Sequence, residues 1–221
     1  NRTRDRQFEA DAMTSARERM CRLRLNDRGA TIIEFALISG PMVLLLMGGL
    51  EFGYNSYVRA SMQGALNDAA RIAAVEFPVI NVEGDTLGDQ VETLIKAQVQ
   101  NVAPNAEIKV TPKSYFDFSN INNPEVLTTD RNGNGVFDFG DKDCFIDLNN
   151  NGVWDIDAGT TGNGGASDVV FYTADVSAPR LLPIDGFLPG VGPTIEFTLK
   201  TAVRNQPYDH RENPKQICGR D

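Results

Sequence analysis

Two stretches of this 221-residue chain, spaced seventeen residues apart, hold the side chains best arranged for chemistry. Residues 130–141 read D-R-N-G-N-G-V-F-D-F-G-D, and residues 147–158 read D-L-N-N-N-G-V-W-D-I-D-A. Oxygen-bearing side chains recur at loop positions 1, 3, 5 and 9: Asp130, Asn132, Asn134 and Asp138 in the first stretch, Asp147, Asn149, Asn151 and Asp155 in the second. Glycine follows at position 6 (Gly135, Gly152), and at position 7 an apolar residue (Val136, Val153) has a carbonyl to lend. This is the frame of a calcium loop, in which alternate residues turn their oxygens toward a hard cation and the glycine makes the turn that closes the cage. Asp141 completes the first loop at position 12; the second has Ala158 there, and Asp157, one residue earlier, is the candidate to replace it. Two calcium ions are therefore expected. Metal-free Asx turns would explain a single copy equally well, and the repeat is what favours the cation.

The loops lack the bidentate glutamate that EF-hands carry at position 12. With only Lys142–Ile146 between them there is no room for paired flanking helices. The arrangement resembles the compact calcium repeats of dockerins and thrombospondin type 3 modules. That likeness implies weak binding suited to extracytoplasmic calcium of about 10⁻⁴–10⁻³ M, with the metal folding a loop whose acids repel one another when empty. Catalysis has little support. The only histidine is His210, which leaves no Ser/His or Cys/His constellation and no multi-histidine metal centre. A hydrolase built on the Asp-rich loops is a weak rival, because their oxygens are committed to a closed cage with no separate nucleophile or base.

The charge distribution shows where such loops would work. The chain carries 21 basic and 30 acidic residues, net −9, which argues against a nucleic-acid partner. Residues 1–29 hold eight arginines and five acids, net +3, so residues 30–221 are left at −12. Between the two charges, Gly29 to Leu50 reads GATIIEFALISGPMVLLLMGGL, with Glu34 its only ionisable side chain. As a helix it would be about 33 Å long, close to the thickness of a bilayer's hydrocarbon, so membrane insertion is favoured over a buried core helix. Arg22, Arg24 and Arg28 precede the run and Glu51 follows it, which places the N-terminus in the cytoplasm and the remainder across the membrane. A cleaved secretory signal would end in small residues, whereas Leu50-Glu51-Phe52-Gly53-Tyr54 follows here.

The helical pattern continues through Val58, Met62, Leu66, Ala69 and Ala73, with Ala65, Ile72 and Ala74 widening the stripe. One helix from about Ala30 to Val75, about 70 Å long, is expected, and Pro41 should kink or locally open it after Gly40. The apolar face of residues 52–75 then needs a cover. Leu87–Val102 has a second helical pattern, Ala106–Thr111 reads as a strand, and Asp168–Ser177 and Thr194–Val203 alternate as strands joined by the Pro- and Gly-rich Pro179–Pro193. The fold class is α+β: a long N-terminal transmembrane and stalk helix, a short second helix and a small antiparallel sheet with the loop pair inserted. The expected divisions are a leader (1–29), a transmembrane half-helix (30–50), a stalk half-helix (51–77) and a head (78–221).

Glu34 is costly to place in lipid, by about 2.5–3.5 kcal/mol at a helix centre. One account is that it snorkels to the interface. Its neighbours, Arg28-Gly29-Ala30-Thr31-Ile32-Ile33-Glu34-Phe35, support another. A basic leader, a glycine and an apolar helix with Glu four residues after its first residue resemble the class III signal of type IV prepilins. Residues 28–75 as a whole resemble the TadE-type minor pseudopilins of the tight-adherence (Tad) pilus, as do DVVFYTADVSAPRLLP and TAVRNQPY more loosely.

The resemblance implies cutting between Gly29 and Ala30 by a prepilin peptidase, and a head that is pilin-like. It also implies other pilins and the Tad assembly platform as partners, at the inner membrane. The new ammonium at Ala30 and Glu34 would then lie at i and i+4, where they can pair on one helix or across to a neighbouring subunit, so Glu34 would act as an assembly register. The leader would begin at Met20 or Met13 if the start lies within this sequence. Cutting removes Cys21, and Cys144 and Cys218 remain as a pair in an oxidising compartment. A disulfide between them is expected, closing about 75 residues and worth about 4 kcal/mol in the chain-entropy model, with two free thiols as the alternative. The function expected is a non-enzymatic minor pilin-like subunit with a calcium-stabilised head; the alternative is an unprocessed single-span protein with a calcium-dependent binding head.

Overall fold

The computed structural model describes residues 30–76, 78, 82–186 and 190–219. The leader, with Gly29 and Cys21, lies outside the described residues, as does the side chain of Ala30. The chain divides into two compact units between Phe52 and Gly53. Helix α1 spans Ala30–Ala73 and runs through Pro41 without interruption, where an opening after Gly40 was expected. A proline costs a helix one N–H and a clash with the preceding turn, and membrane-type helices tolerate both where neighbouring groups or local adjustment satisfy the freed carbonyl.

In the first unit the helix surface is apolar and exposed: Ile32 is 71% accessible, Leu37 77% and Leu45 77%. Among the described residues this is the one helix long and apolar enough to cross a membrane.

From Gly53 onward α1 becomes one-sided. Val58, Met62, Leu66, Ala69 and Ala73, at steps of three and four, are buried together with Ala65, Ala70 and Ala74. Ile72 does not widen the stripe as expected but stays exposed, and Ala70 is buried instead. The stripe packs into a core shared with α2, Leu87–Val99, and the main sheet. Helix α2 begins with a capping box: the Thr86 hydroxyl accepts from Asp89 N (3.2 Å) and the Asp89 carboxylate from Thr86 N (3.0 Å). It buries Val91, Ile95 and Val99, one residue per turn. It ends at Val99, three residues before the expected Val102, and in the turn that follows Val102 and Ala103 both donate back to the Val99 carbonyl.

Where one small sheet was expected, the structure has two. The main sheet is antiparallel, ordered β4-β1-β5-β6, from Glu107–Tyr115 (β1), Thr160–Thr161 (β4), Val169–Pro179 (β5) and Thr194–Arg204 (β6). In β5, Val170, Tyr172, Ala174, Val176 and Ala178 alternate onto the helix side. Above β6, the Arg59 guanidinium lies 4.7 Å from the Phe197 ring and Gln63 donates to the Lys200 carbonyl.

Strand β1 continues past Thr111 through Pro112, beyond its expected end. The Pro112 carbonyl accepts from Gly162 on the β4 side, and β4 pairs only with Lys113 and Ser114, so the missing N–H costs the β5 ladder nothing. The second sheet, β2-β3-β7, is made of Leu127–Thr129, Cys144–Asp147 and Lys215–Cys218.

Leu66 is fully buried, so Leu66→Ala should destabilise the second unit by about 2–5 kcal/mol, read as a lower urea midpoint of the detergent-solubilised chain. Leu45→Ala, at an exposed position of the first unit, should leave that midpoint unchanged.

Candidate functional site

The three-stranded sheet frames the two Asx-rich loops. The first loop leaves β2 just after Thr129, and the second begins on the last residue of β3, Asp147. The segment between the loops, expected to be a mere linker, is therefore the central strand of a sheet. Cys144 pairs with Cys218 across β3 and β7, and the two are joined as a disulfide over a sequence separation of 74. Phe145 on β3 is fully buried, with Phe137 of the first loop edge-on at 4.7 Å between ring centres.

Both loops take the same shape. In the first, Asp130 accepts from Gly133 N (2.7 Å) and Gly135 N (2.8 Å), Asn132 Oδ1 from Asn134 N, and Asn134 Oδ1 from Val136 N. In the second, Asp147 accepts from Asn151 N (3.1 Å) and Gly152 N (2.8 Å), Asn149 Oδ1 from Asn151 N, and Asn151 Oδ1 from Val153 N. Positions 4 and 6 are left-handed in both, with φ of 71° and 75° at Gly133 and Gly135 and 57° and 81° at Asn150 and Gly152. Glycine or asparagine is what such a backbone requires, which is the physical content of the N-G signal in each loop.

The donor set suits a hard cation, being all oxygen. Asn149 and Asn151 both direct their amide NH₂ groups at one oxygen of Asp155 (2.8 and 2.6 Å), so positions 3, 5 and 9 of the second loop converge. In the first loop Asn132 donates to Asp141, joining positions 3 and 12, while Asp138 accepts from Gly140 N. Among the described residues no three His, Cys, Asp and Glu side chains form a metal-ready group, and half of the residues at positions 1, 3, 5 and 9 are asparagines. Asp157 turns elsewhere, to Lys113 Nζ at 2.7 Å. Burial pushes its carboxyl up, but the Lys113 and Tyr115 hydrogen bonds and the lysine charge outweigh this and hold it below its ordinary value. Burial and the same Asp157 carboxylate push the Tyr115 phenol up to about 12.

Two site residues escape the sequence frame. Asp143 and Glu125 are 0% and 1% exposed, and each receives backbone N–H groups of one loop. Burial, aided by nearby Asp147, pushes the Glu125 carboxyl up against the N–H groups of Leu148 and Asp155, which favour its charge. The chain also clamps Trp154, whose indole N–H donates to the Glu125 carbonyl at 3.0 Å. No repeat spacing points to either acid; a lone acid flanking a loop carries no signal in sequence.

Glu34 lies on the exposed part of α1, four residues beyond Ala30, and belongs to the first unit, whereas the loops belong to the second. Residues 29–71 match the model of the family described as TadE-like protein. The likeness is confined to this segment. No curated protein and no solved structure matches the chain. The TadE-like segment coincides with nearly all of α1 and stops before α2, the sheets and the loops.

Proposed function

We propose that this chain is a minor pilin-like subunit of a Tad-type pilus, cut between Gly29 and Ala30 by a prepilin peptidase, with an extracytoplasmic head stabilised by calcium. The observation that carries the reading is the TadE-like match over residues 29–71, which falls on the helix whose apolar surface is exposed from Ile32 to Leu46. Such a surface suits lipid before assembly and the helices of neighbouring pilins after it. The arginines before the span support a cytoplasmic N-terminus and a second unit outside the inner membrane. Other pilins and the Tad assembly platform are the partners, and no reaction is assigned.

Glu34 sets the register. Unpaired in an apolar layer a carboxylate is costly, and the ammonium released at Ala30 by processing is the partner one helical turn away or on the next subunit. N-terminal sequencing of membrane-extracted chain should find Ala30 first. A chain beginning at Arg28 or earlier would overturn the processing and favour an unprocessed single-span protein with a binding head. Glu34→Ala should insert normally yet stay out of the pilus, measured by fractionating sheared pili from membranes; wild-type incorporation would remove the register.

Calcium would be held by Asp130, Asn132, Asn134, the Val136 carbonyl, Asp138 and Asp141 in the first loop. In the second it would be held by Asp147, Asn149, Asn151, the Val153 carbonyl and Asp155. When bound, the ion would supply positive charge to oxygens that face amide and backbone N–H groups. Chelation should lower the melting temperature of the second unit by several degrees. This corresponds to about 1–3 kcal/mol for an ion present at roughly ten- to hundredfold its dissociation constant, and an unchanged melt removes calcium from the account.

A further inference from the structure

The two loops share a brace as well as a frame. Around the first, the Asp143 carboxylate accepts from Arg131 N at 2.9 Å and Asp138 N at 3.2 Å, and Asp143 N donates to the Asp138 carbonyl at 3.4 Å. Around the second, the Glu125 carboxylate accepts from Leu148 N at 2.7 Å and Asp155 N at 3.2 Å, and Glu125 N donates to the Asp155 carbonyl at 2.9 Å. Arg131 and Leu148 are both position 2 of their loops; Asp138 and Asp155 are both position 9. The same three bonds therefore recur on the same loop positions. They come from residues outside the twelve-residue frame that lie on opposite sides of their loops in the chain, Asp143 after and Glu125 before. Inheritance of one repeated unit does not explain that, whereas a shared geometric requirement does.

The requirement follows from the loops' setting. A calcium loop flanked by helices is closed by them, and these loops have only short strands on either side. Positions 2 and 9 lie beside the oxygen donors at 1, 3 and 9, so a group bonded to both N–H groups closes the loop at the point where its ligands must meet. A carboxylate is the side chain able to accept at both ends, and its burial is tolerable only because each oxygen has such a donor. We propose that Asp143 and Glu125 are positioning residues, one per loop, which hold positions 2 and 9 together and so set the oxygens of each loop around its own cation. The proposal rests on the cation reading given above.

The test uses the full chain in detergent micelles. Trp154, the single tryptophan, is position 8 of the second loop, so terbium luminescence sensitised through it reports that loop, while calcium calorimetry reports both. Glu125→Gln places an NH₂ against one of the two N–H groups. It should weaken terbium at the Trp154 loop by about 10–100-fold, the usual penalty for losing support behind a metal ligand. Asp143→Asn should leave that signal at wild-type affinity and cost the other calcium site a comparable factor. If Glu125→Gln does not fold, Glu125→Asp keeps both acceptors on a shorter stem and should show a smaller loss confined to the same loop. Wild-type affinity at both loops in the variants, or equal weakening of both loops by either one, overturns the proposal while leaving the cation reading intact. A wild-type chain that binds neither terbium nor calcium overturns the cation reading and the proposal with it.

Discussion

An apolar helix surface has to be covered, and α1 meets that requirement differently along its length. Between Val58 and Ala73 the cover is internal: a stripe spaced at three and four residues meets the alternating face of β5, with α2 beside it. Each fully buried Val, Leu or Met there contributes about 1.5–3 kcal/mol, which makes this seam the dominant favourable term in the second unit. Between Ile32 and Leu46 none of the described residues supplies a cover, and apart from Glu34 and Ser39 the side chains are apolar all round. A stripe specifies one sheet as its partner, while an all-round apolar surface specifies only an apolar environment. That contrast, written into a single helix, is why one end of the TadE-like segment suits an apolar environment while the other belongs to a folded unit.

The second sheet rests on another kind of interaction. Its strands are three or four residues long, too short to be held by a large apolar face, and Phe145 is its one fully buried large apolar side chain. The disulfide between Cys144 and Cys218 ties its central strand to its last, and carboxylates do the rest by accepting backbone N–H groups that have no ladder to join. Buried acids are tolerable on these terms. Asp143, Asp147 and Glu125 each meet at least two N–H groups, so the charge is stabilised by fixed dipoles where water is excluded.

Legibility in the sequence followed the range of the interaction. Helices α1 and α2 and strands β5 and β6 show in the chain because their partners impose a local period on them: Val91, Ile95 and Val99 at four-residue steps, Val170 to Ala178 at two. The loops show because glycine and asparagine at positions 4 and 6 answer to backbone angles that few other residues adopt. Strand β7 does not, since Lys-Gln-Ile-Cys carries no apolar alternation and becomes a strand only by pairing with β3. Ile72 misled for a related reason: periodicity fixes which face of a helix is buried but not where the cover narrows, and here small Ala70 has the buried place. Glu125 is the extreme case, because its loop begins 22 residues later and nothing local distinguishes it from a surface acid.

These placements change the meaning of the chain's acidity. A net charge of −9 suggests a surface that attracts cations or basic partners. Part of it is committed within the fold instead, Asp143, Asp147 and Glu125 being buried. Asp130, Asp143, Asp147 and Glu125 accept from backbone N–H groups of the loops, Asp157 is paired with Lys113, and Asp168 with Arg211, whose guanidinium also stacks 3.6 Å from the Phe116 ring and bonds the Phe116 and Ser167 carbonyls. Residues spent in this way hold a polypeptide with few long strands in one conformation. Acidic side chains are here a structural material for loops and short strands, as apolar ones are for the helices.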